Sequence, residues 1–110
     1  MSDTPVRRGQ LRRLQTLTAG ALLVAVVSSD EMHEATTRAI VARITADPET
    51  ADTGVSVPTP PGLEVPGWIM PDRLIEVRQQ RLGADSLGQL PPATIEHLDV
   101  ALMVVLGIRR

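Results

Sequence analysis

The chain contains no cysteine, no lysine, no phenylalanine and no tyrosine, and Trp68 is its only aromatic residue. Without cysteine there is no disulfide and no thiolate metal site, a composition that fits a reducing cytosol. Without other aromatics the core has to be built from Leu, Val, Ile, Ala and Met. The stacking platforms that single-strand binders use are then nearly missing. Because lysine is absent, all 11 basic residues are arginine, whose planar fork is the better match for phosphate. The longest apolar runs fall well short of the ~20 residues of a membrane helix. No glycine-rich phosphate loop, Ser-His-Asp series or metal motif stands out, and neither His33 nor His97 has a partner at ligand spacing.

What the chain does have is apolar material in short runs. Its 110 residues, 43% hydrophobic, suffice for one core and are too few for two. A single domain over residues 1–110 is expected, with a mobile polar start at 1–6. Formal net charge is −2, from 11 basic against 13 acidic residues. That balance argues against indiscriminate nucleic-acid binding but leaves room for local arginine clusters.

The pivotal run is Leu22–Val27, six apolar residues closed by Ser28-Ser29-Asp30. Both alternate sets, Leu22/Val24/Val26 and Leu23/Ala25/Val27, are apolar, so a strand here is covered on both faces. Arg7, Arg8, Arg12 and Arg13 ahead of Ala19–Val27 imitate the charged and apolar regions of a signal peptide. No small-x-small cleavage site follows, and removal would leave too little chain for a core. A soluble cytoplasmic protein is expected.

Arg8–Leu14 reads as a first strand, with Arg8, Gln10, Arg12 and Leu14 on one face and Gly9, Leu11 and Arg13 on the other. So many polar positions predict an edge strand or one lining a groove. Asp30–Thr37 is a polar link able to hold one helical turn. Ala39–Thr45 is a third strand, with Ile40, Ala42 and Ile44 inward and Val41, Arg43 and Thr45 facing the other way. Ala46–Thr53 is a loop around Asp47-Pro48, Val55–Val57 a brief strand, and Pro58, Pro60, Pro61 and Gly62 an exposed connection.

Gly67–Met70 and Leu74–Val77 form two strand pieces parted by Pro71-Asp72, where the missing donor demands an edge, a bulge or a kink. A last strand lies near Leu87–Leu90. Pro91 and Pro92 open the final helix and Gly107 closes it. Ile95, Leu98, Leu102 and Val105 make its apolar stripe, widened by Ala101 and Leu106. Val100, Met103 and Val104 are apolar off that stripe, which predicts a partner subunit. Short strands closed by one helix make an α+β, barrel-like domain.

Four features in this order resemble the MazF/PemK (Kid) toxins, the ribonuclease halves of bacterial type II toxin–antitoxin pairs. They are Arg8-Gly9 opening the first strand, the apolar strand ending Val27-Ser28-Ser29-Asp30, the strand ending Arg43-Ile44-Thr45, and Asp72 within Met70-Pro71-Asp72-Arg73. Gly88-Gln89-Leu90-Pro91 and the closing helix also fit, so the resemblance covers roughly residues 7–108. It implies a small SH3-like β-barrel with a C-terminal helix, a homodimer, and metal-independent, sequence-specific cleavage of single-stranded RNA. It also implies a cognate antitoxin as partner and no cofactor.

By the same resemblance Thr45 matches the family's catalytic threonine and Asp72 an acidic residue used by some members. The family's catalytic Arg, in an Arg-Pro pair at the start of the central strand, is replaced by Leu22-Leu23. Arg43, two residues before Thr45 and on the same strand face ~7 Å away, is a candidate for the missing cation. Arg8, Arg12, Arg13 and Ser28 are RNA-binding candidates, although arginines on a solvated edge strand also guard against aggregation. Two alternatives stay open. One is a gyrase poison of the CcdB type, whose fold is shared and whose last helix ends in a way Leu106-Gly107-Ile108 loosely resembles. The other is a family member without catalysis, acting as a binding module.

Overall fold

The computed structural model describes residues 4–18 and 20–108. Six strands form one antiparallel sheet: β1 (Gln10–Gln15), β2 (Ala21–Val26), β3 (Arg38–Thr45), β4 (Val57–Pro58), β5 (Trp68–Arg78) and β6 (Gly88–Gln89). Their spatial order is β4-β5-β3-β2-β1-β6. The sheet curls into a half-barrel, and a bridge from Leu14 to Leu82 draws β1 toward the segment that follows β5. Two short helices, α1 (Asp30–Ala35) and α2 (Pro48–Ala51), flank β3, and α3 (Pro92–Leu106) closes the domain. The α+β class and the barrel-like sheet with its terminal helix are therefore as the sequence predicts.

β2 carries apolar side chains on both faces, and both contribute to a core: Val24, Ala25 and Val26 are buried, and Leu22, Leu23 and the following Val27 half-buried. Ala25 joins Leu11, Ala42, Ile44, Ile69 and Leu98 in a core under α3. Val24 and Val26 join Leu14, Ala39, Val41 and Val77 in a second core on the opposite face. The residues that imitate a signal peptide's apolar region are thus the middle of the sheet. Each Leu or Val buried this way contributes roughly 1.5–3 kcal/mol. Among the described residues no helix is long and apolar enough to cross a membrane.

β1 is not an edge strand. It lies between β2 and β6, and the Gln10–Arg12–Leu14 face turns onto the second core. Arg12 is 1% exposed. Its guanidinium donates to the Gly83 carbonyl, to the Thr4 carbonyl at 3.4 Å and to Gln10 Oε1 at 2.9 Å. Those acceptors explain how a charged fork is tolerated inside. Of the expected mobile start, residues 1–3 lie outside the described residues, whereas Val6 is buried in the second core.

β5 runs unbroken through Pro71 rather than as two pieces. Ala42 faces Leu74 while the next residue, Arg43, faces Met70, so Pro71, Asp72 and Arg73 have no partner on β3. A bulge is where a residue without an N–H fits at no cost to the ladder. The expected loop at Ala46–Thr53 contains the α2 turn, capped by Asp47.

On α3, Leu98 and Ala101 are buried, and Ile95 and Leu102 pack against the first core. Leu106 is 57% exposed, at the last position of the helix before the Gly107 cap, and does not widen the stripe. Replacing Arg12 by Met, which keeps the stem and removes the donors, strands the Gly83 carbonyl. A loss of about 1–3 kcal/mol in urea unfolding is expected. A variant as stable as the parent would show that the guanidinium contributes packing alone.

Candidate active site

Where β3 ends, the bulge of β5 and the α2 turn converge. A concavity of about 230 Å³ opens there, lined by Arg43, Thr45, Thr50, Met70 and Arg73. The structure therefore brings Arg43 and Thr45 together, as their alternation on one strand face predicts. It also adds Arg73 and Thr50, which the sequence reading passed over. Arg43 and Arg73 are exposed at the pocket and Thr45 is half-buried. Among the described residues neither arginine has an ion-pair partner, so two unneutralised guanidiniums face one small space.

The hydroxyls of the pocket are held from behind. The Asp47 backbone N–H donates to Thr45 Oγ1 at 3.1 Å, which leaves the Thr45 proton free to point into the pocket. Thr50 Oγ1 donates to Asp47 Oδ2 at 2.7 Å, and the Glu49 N–H donates to Asp47 Oδ1 at 3.1 Å. The Thr50 hydroxyl and then the Glu49 amide hold the Asp47 carboxyl below its ordinary range. Gly67, at φ +140°, presses its bare α-carbon against the Thr45 carbonyl, where a β-carbon has no room. Trp68 is the cross-strand partner of Thr45.

Asp72 sits on the bulge beside Arg73, exposed, and does not line the pocket. Leu22 is half-buried and packs against the second core beside Val24. Val24 pairs directly with Arg43 on the neighbouring strand.

The other candidates lie elsewhere. Arg12 is interior, as described. Arg8 is not in a strand; its guanidinium pairs with Asp99 on α3 and its N–H donates to Asp30 Oδ1 at 2.8 Å. Arg13 is exposed on β1.

Ser28 is 7% exposed and serves the fold: its Oγ accepts the Ile40 N–H at 2.9 Å and lies 2.6 Å from His33 Nε2. His33 is buried in α1, not in an open loop, with Nδ1 3.5 Å from Asp30. Ser28, His33 and Asp30 thus form a Ser-His-acid row that sequence order hides, but its hydroxyl is sealed inside and already bonded. Among the described residues no group of three His, Cys, Asp or Glu could hold a metal.

The sequence model of the PemK-like, MazF-like toxins of type II toxin–antitoxin systems matches residues 12–106. An endoribonuclease from a mycobacterial species, solved with its cognate antitoxin, superposes with a TM-score of 0.84 at 27% identity. That match covers 96% of this chain and 98% of the other. A second mycobacterial endoribonuclease gives 0.83 at 24% identity, over 98% and 97% of the two chains. MazF of Deinococcus radiodurans, in a MazE–MazF crystal, gives 0.83 at 20% identity, over 97% and 100%. No curated protein sequence matches the chain.

Two outcomes follow from the pocket's supports. Gly67→Ala is expected to displace the Thr45 carbonyl and destabilise the fold by about 1–3 kcal/mol, read by urea unfolding. Because Asp47 is depressed in the folded state, its contribution is full above the ordinary aspartate pKa of ~3.9 and fades only as pH falls below it. The pH transition of the Thr50 side-chain contact to Asp47, read from the Thr50 amide signal, should accordingly fall below the ordinary aspartate value, and Asp47→Asn should remove it.

Proposed function

Because the chain belongs to the PemK-like, MazF-like toxins of type II toxin–antitoxin systems, we propose that it is an endoribonuclease cutting single-stranded RNA at the Thr45 pocket. The carrying observation is the meeting of two unpaired guanidiniums with an oriented threonine hydroxyl in a space of about 230 Å³.

In the proposed reaction the ribose 2′-hydroxyl attacks the adjacent phosphorus. The O2′–P bond forms and the P–O5′ bond breaks, leaving a 2′,3′-cyclic phosphate and a 5′-hydroxyl. One proton leaves the 2′-oxygen and one arrives on the 5′-oxygen. The nucleophile belongs to the substrate, so no metal is required to generate it.

Negative charge builds on the phosphorane oxygens, where fixed donors are most effective. Arg43 and Arg73 supply the positive charge, and the free Thr45 proton a third donor. An arginine stays protonated and cannot accept the 2′ proton. Asp72 is exposed on the bulge beside Arg73 but outside the pocket's lining, so in this reading solvent water takes the 2′ proton and returns one to the 5′-oxygen. Of the N-terminal arginines, Arg7 and Arg13 are the exposed ones and stay candidates for meeting RNA.

The partners in this reading are a cognate antitoxin, as in the mycobacterial complex, and a second copy of the chain, in the cytoplasm. Val100, Val104 and Leu106, 51%, 65% and 57% exposed on α3, support an apolar contact with another chain. Gyrase poisoning is not favoured, because the matched family and the most similar structures above are of the MazF kind.

The test is incubation of the purified protein with a long, weakly structured RNA without added metal. Discrete cuts ending in 2′,3′-cyclic phosphate are expected. Thr45→Ala, Arg43→Ala and Arg73→Ala should each lower the rate by ~10²–10³, the usual cost of one transition-state donor. Unchanged cutting by Arg43→Ala would show that this arginine does not replace the one missing at Leu22. Intact RNA at every protein concentration would overturn the nuclease reading.

A further inference from the structure

A second concentration of arginine lies at the opposite end of β3. Arg38 and Arg78 are direct cross-strand partners, and Arg81 follows on the 3-10 turn Gln79–Arg81. Like charges placed directly opposite on a sheet are destabilising. The nearest anion, Glu76, lies 3.1 Å from Arg38, but both side chains are about half exposed, at 47% and 56%, and such pairs are weak. Among the described residues Arg78 and Arg81 have no ion-pair partner. In a chain of net charge −2, three guanidiniums against one carboxylate form a local positive field.

The cluster lines a groove rather than a convex surface. A concavity of about 550 Å³ runs between the β1–β2 connection and the end of β5, its charged wall made by Arg38, Arg78 and Arg81 with the single carboxylate of Glu76, and Leu17 also lines it. A second one of about 330 Å³ continues from it at Arg78, lined by Thr36, Thr37, Gln79 and Gln80. Arginine with threonine and glutamine is the donor set that contacts phosphate and sugar oxygens. Leu17, 91% exposed, offers an apolar surface to a base or ribose in a chain almost without aromatics.

The groove is also held in shape. The Gln79 amide lies within 3.0–3.1 Å of the carbonyls of His33, Thr36 and Arg38, which ties the turn bearing Arg81 to the strand bearing Arg38.

We propose that this groove binds the sugar–phosphate backbone of single-stranded RNA, as a second contact separate from the Thr45 pocket. The proposal rests on the nuclease reading for its choice of ligand. Arg38 lies seven residues before Thr45, ~23 Å along the strand, and on its other face. The groove therefore sets affinity for long RNA and leaves the chemical step alone.

The experiment uses the full chain carrying Thr45→Ala, with a fluorescent 2′-O-methyl RNA of about 16 nucleotides, titrated across a salt series. Adding Arg78→Gln and Arg81→Gln, both on exposed side chains, should weaken binding and lower the slope of log K against log salt by ~1.4, two contacts at ~0.7 each. In the cleaving protein the same pair should raise KM for a long RNA and leave kcat, and cleavage of an RNA of about four nucleotides, unchanged. An unaltered slope and affinity would overturn the proposal whether or not the parent protein cuts RNA. Binding of a polyglutamate peptide that the two substitutions abolish, with RNA binding untouched, would also overturn it and assign the groove to an acidic protein segment. A parent protein that binds RNA through the groove but cuts none would instead count against the Thr45 pocket alone.

Discussion

Burial of β2 and β3 on both faces is the constraint from which the rest of the molecule follows. With Val24, Val26 and Val41 sealed on one side and Ala25, Ala42 and Ile44 on the other, the middle of the sheet has no room for charge. Polar chemistry is displaced to where these strands run out of core. At the C-terminal end of β3 that yields Arg43 and Thr45, and at its N-terminal end Arg38. The two arginine-bearing concavities are the two ends of one buried strand.

What turns the first of these ends into a pocket is a slip in pairing. Three residues of β5 bulge out between Ala42/Leu74 and Arg43/Met70. The slip places Pro71 where its missing donor is harmless and brings Arg73 beside Arg43. The α2 turn supplies the opposite wall, and its capping aspartate orients both hydroxyls of the pocket. Leu22, at the start of β2, packs against the second core. The positive charge at this end of the sheet is carried on β3 and β5, while Leu22 completes the packing of the second core.

Alternation made much of this legible in advance. The double-sided burial of Leu22–Val27, the shared face of Arg43 and Thr45, and the stripe Ile95–Leu98–Leu102 all follow from local periodicity. What periodicity misses is tertiary compensation. Arg12 looks like an exposed charge until the carbonyls of Gly83 and Thr4 are folded over it. Ser28 looks like a loop hydroxyl until Ile40 and His33 close on it. Arg73 has no local signal beyond the proline two residues earlier, because only the pairing slip aims it at Arg43. The cross-strand meeting of Arg38 with Arg78 is likewise set by register, which no single segment encodes.

The poverty in aromatics has an optical consequence. Trp68 is the only indole, there is no tyrosine to absorb beside it or feed it energy, and it pairs directly with Thr45. It is half-buried and lines a shallow depression with Pro48 and Glu49 of α2. An amphipathic ring in such a place responds to changes in its own wetting. The near-ultraviolet absorption and intrinsic emission of the whole protein therefore originate from one side chain, set across the strand from Thr45 and against the α2 turn. Movement of the α2 turn, which the depression at Trp68 shares, is written into the colour of the molecule without any added label.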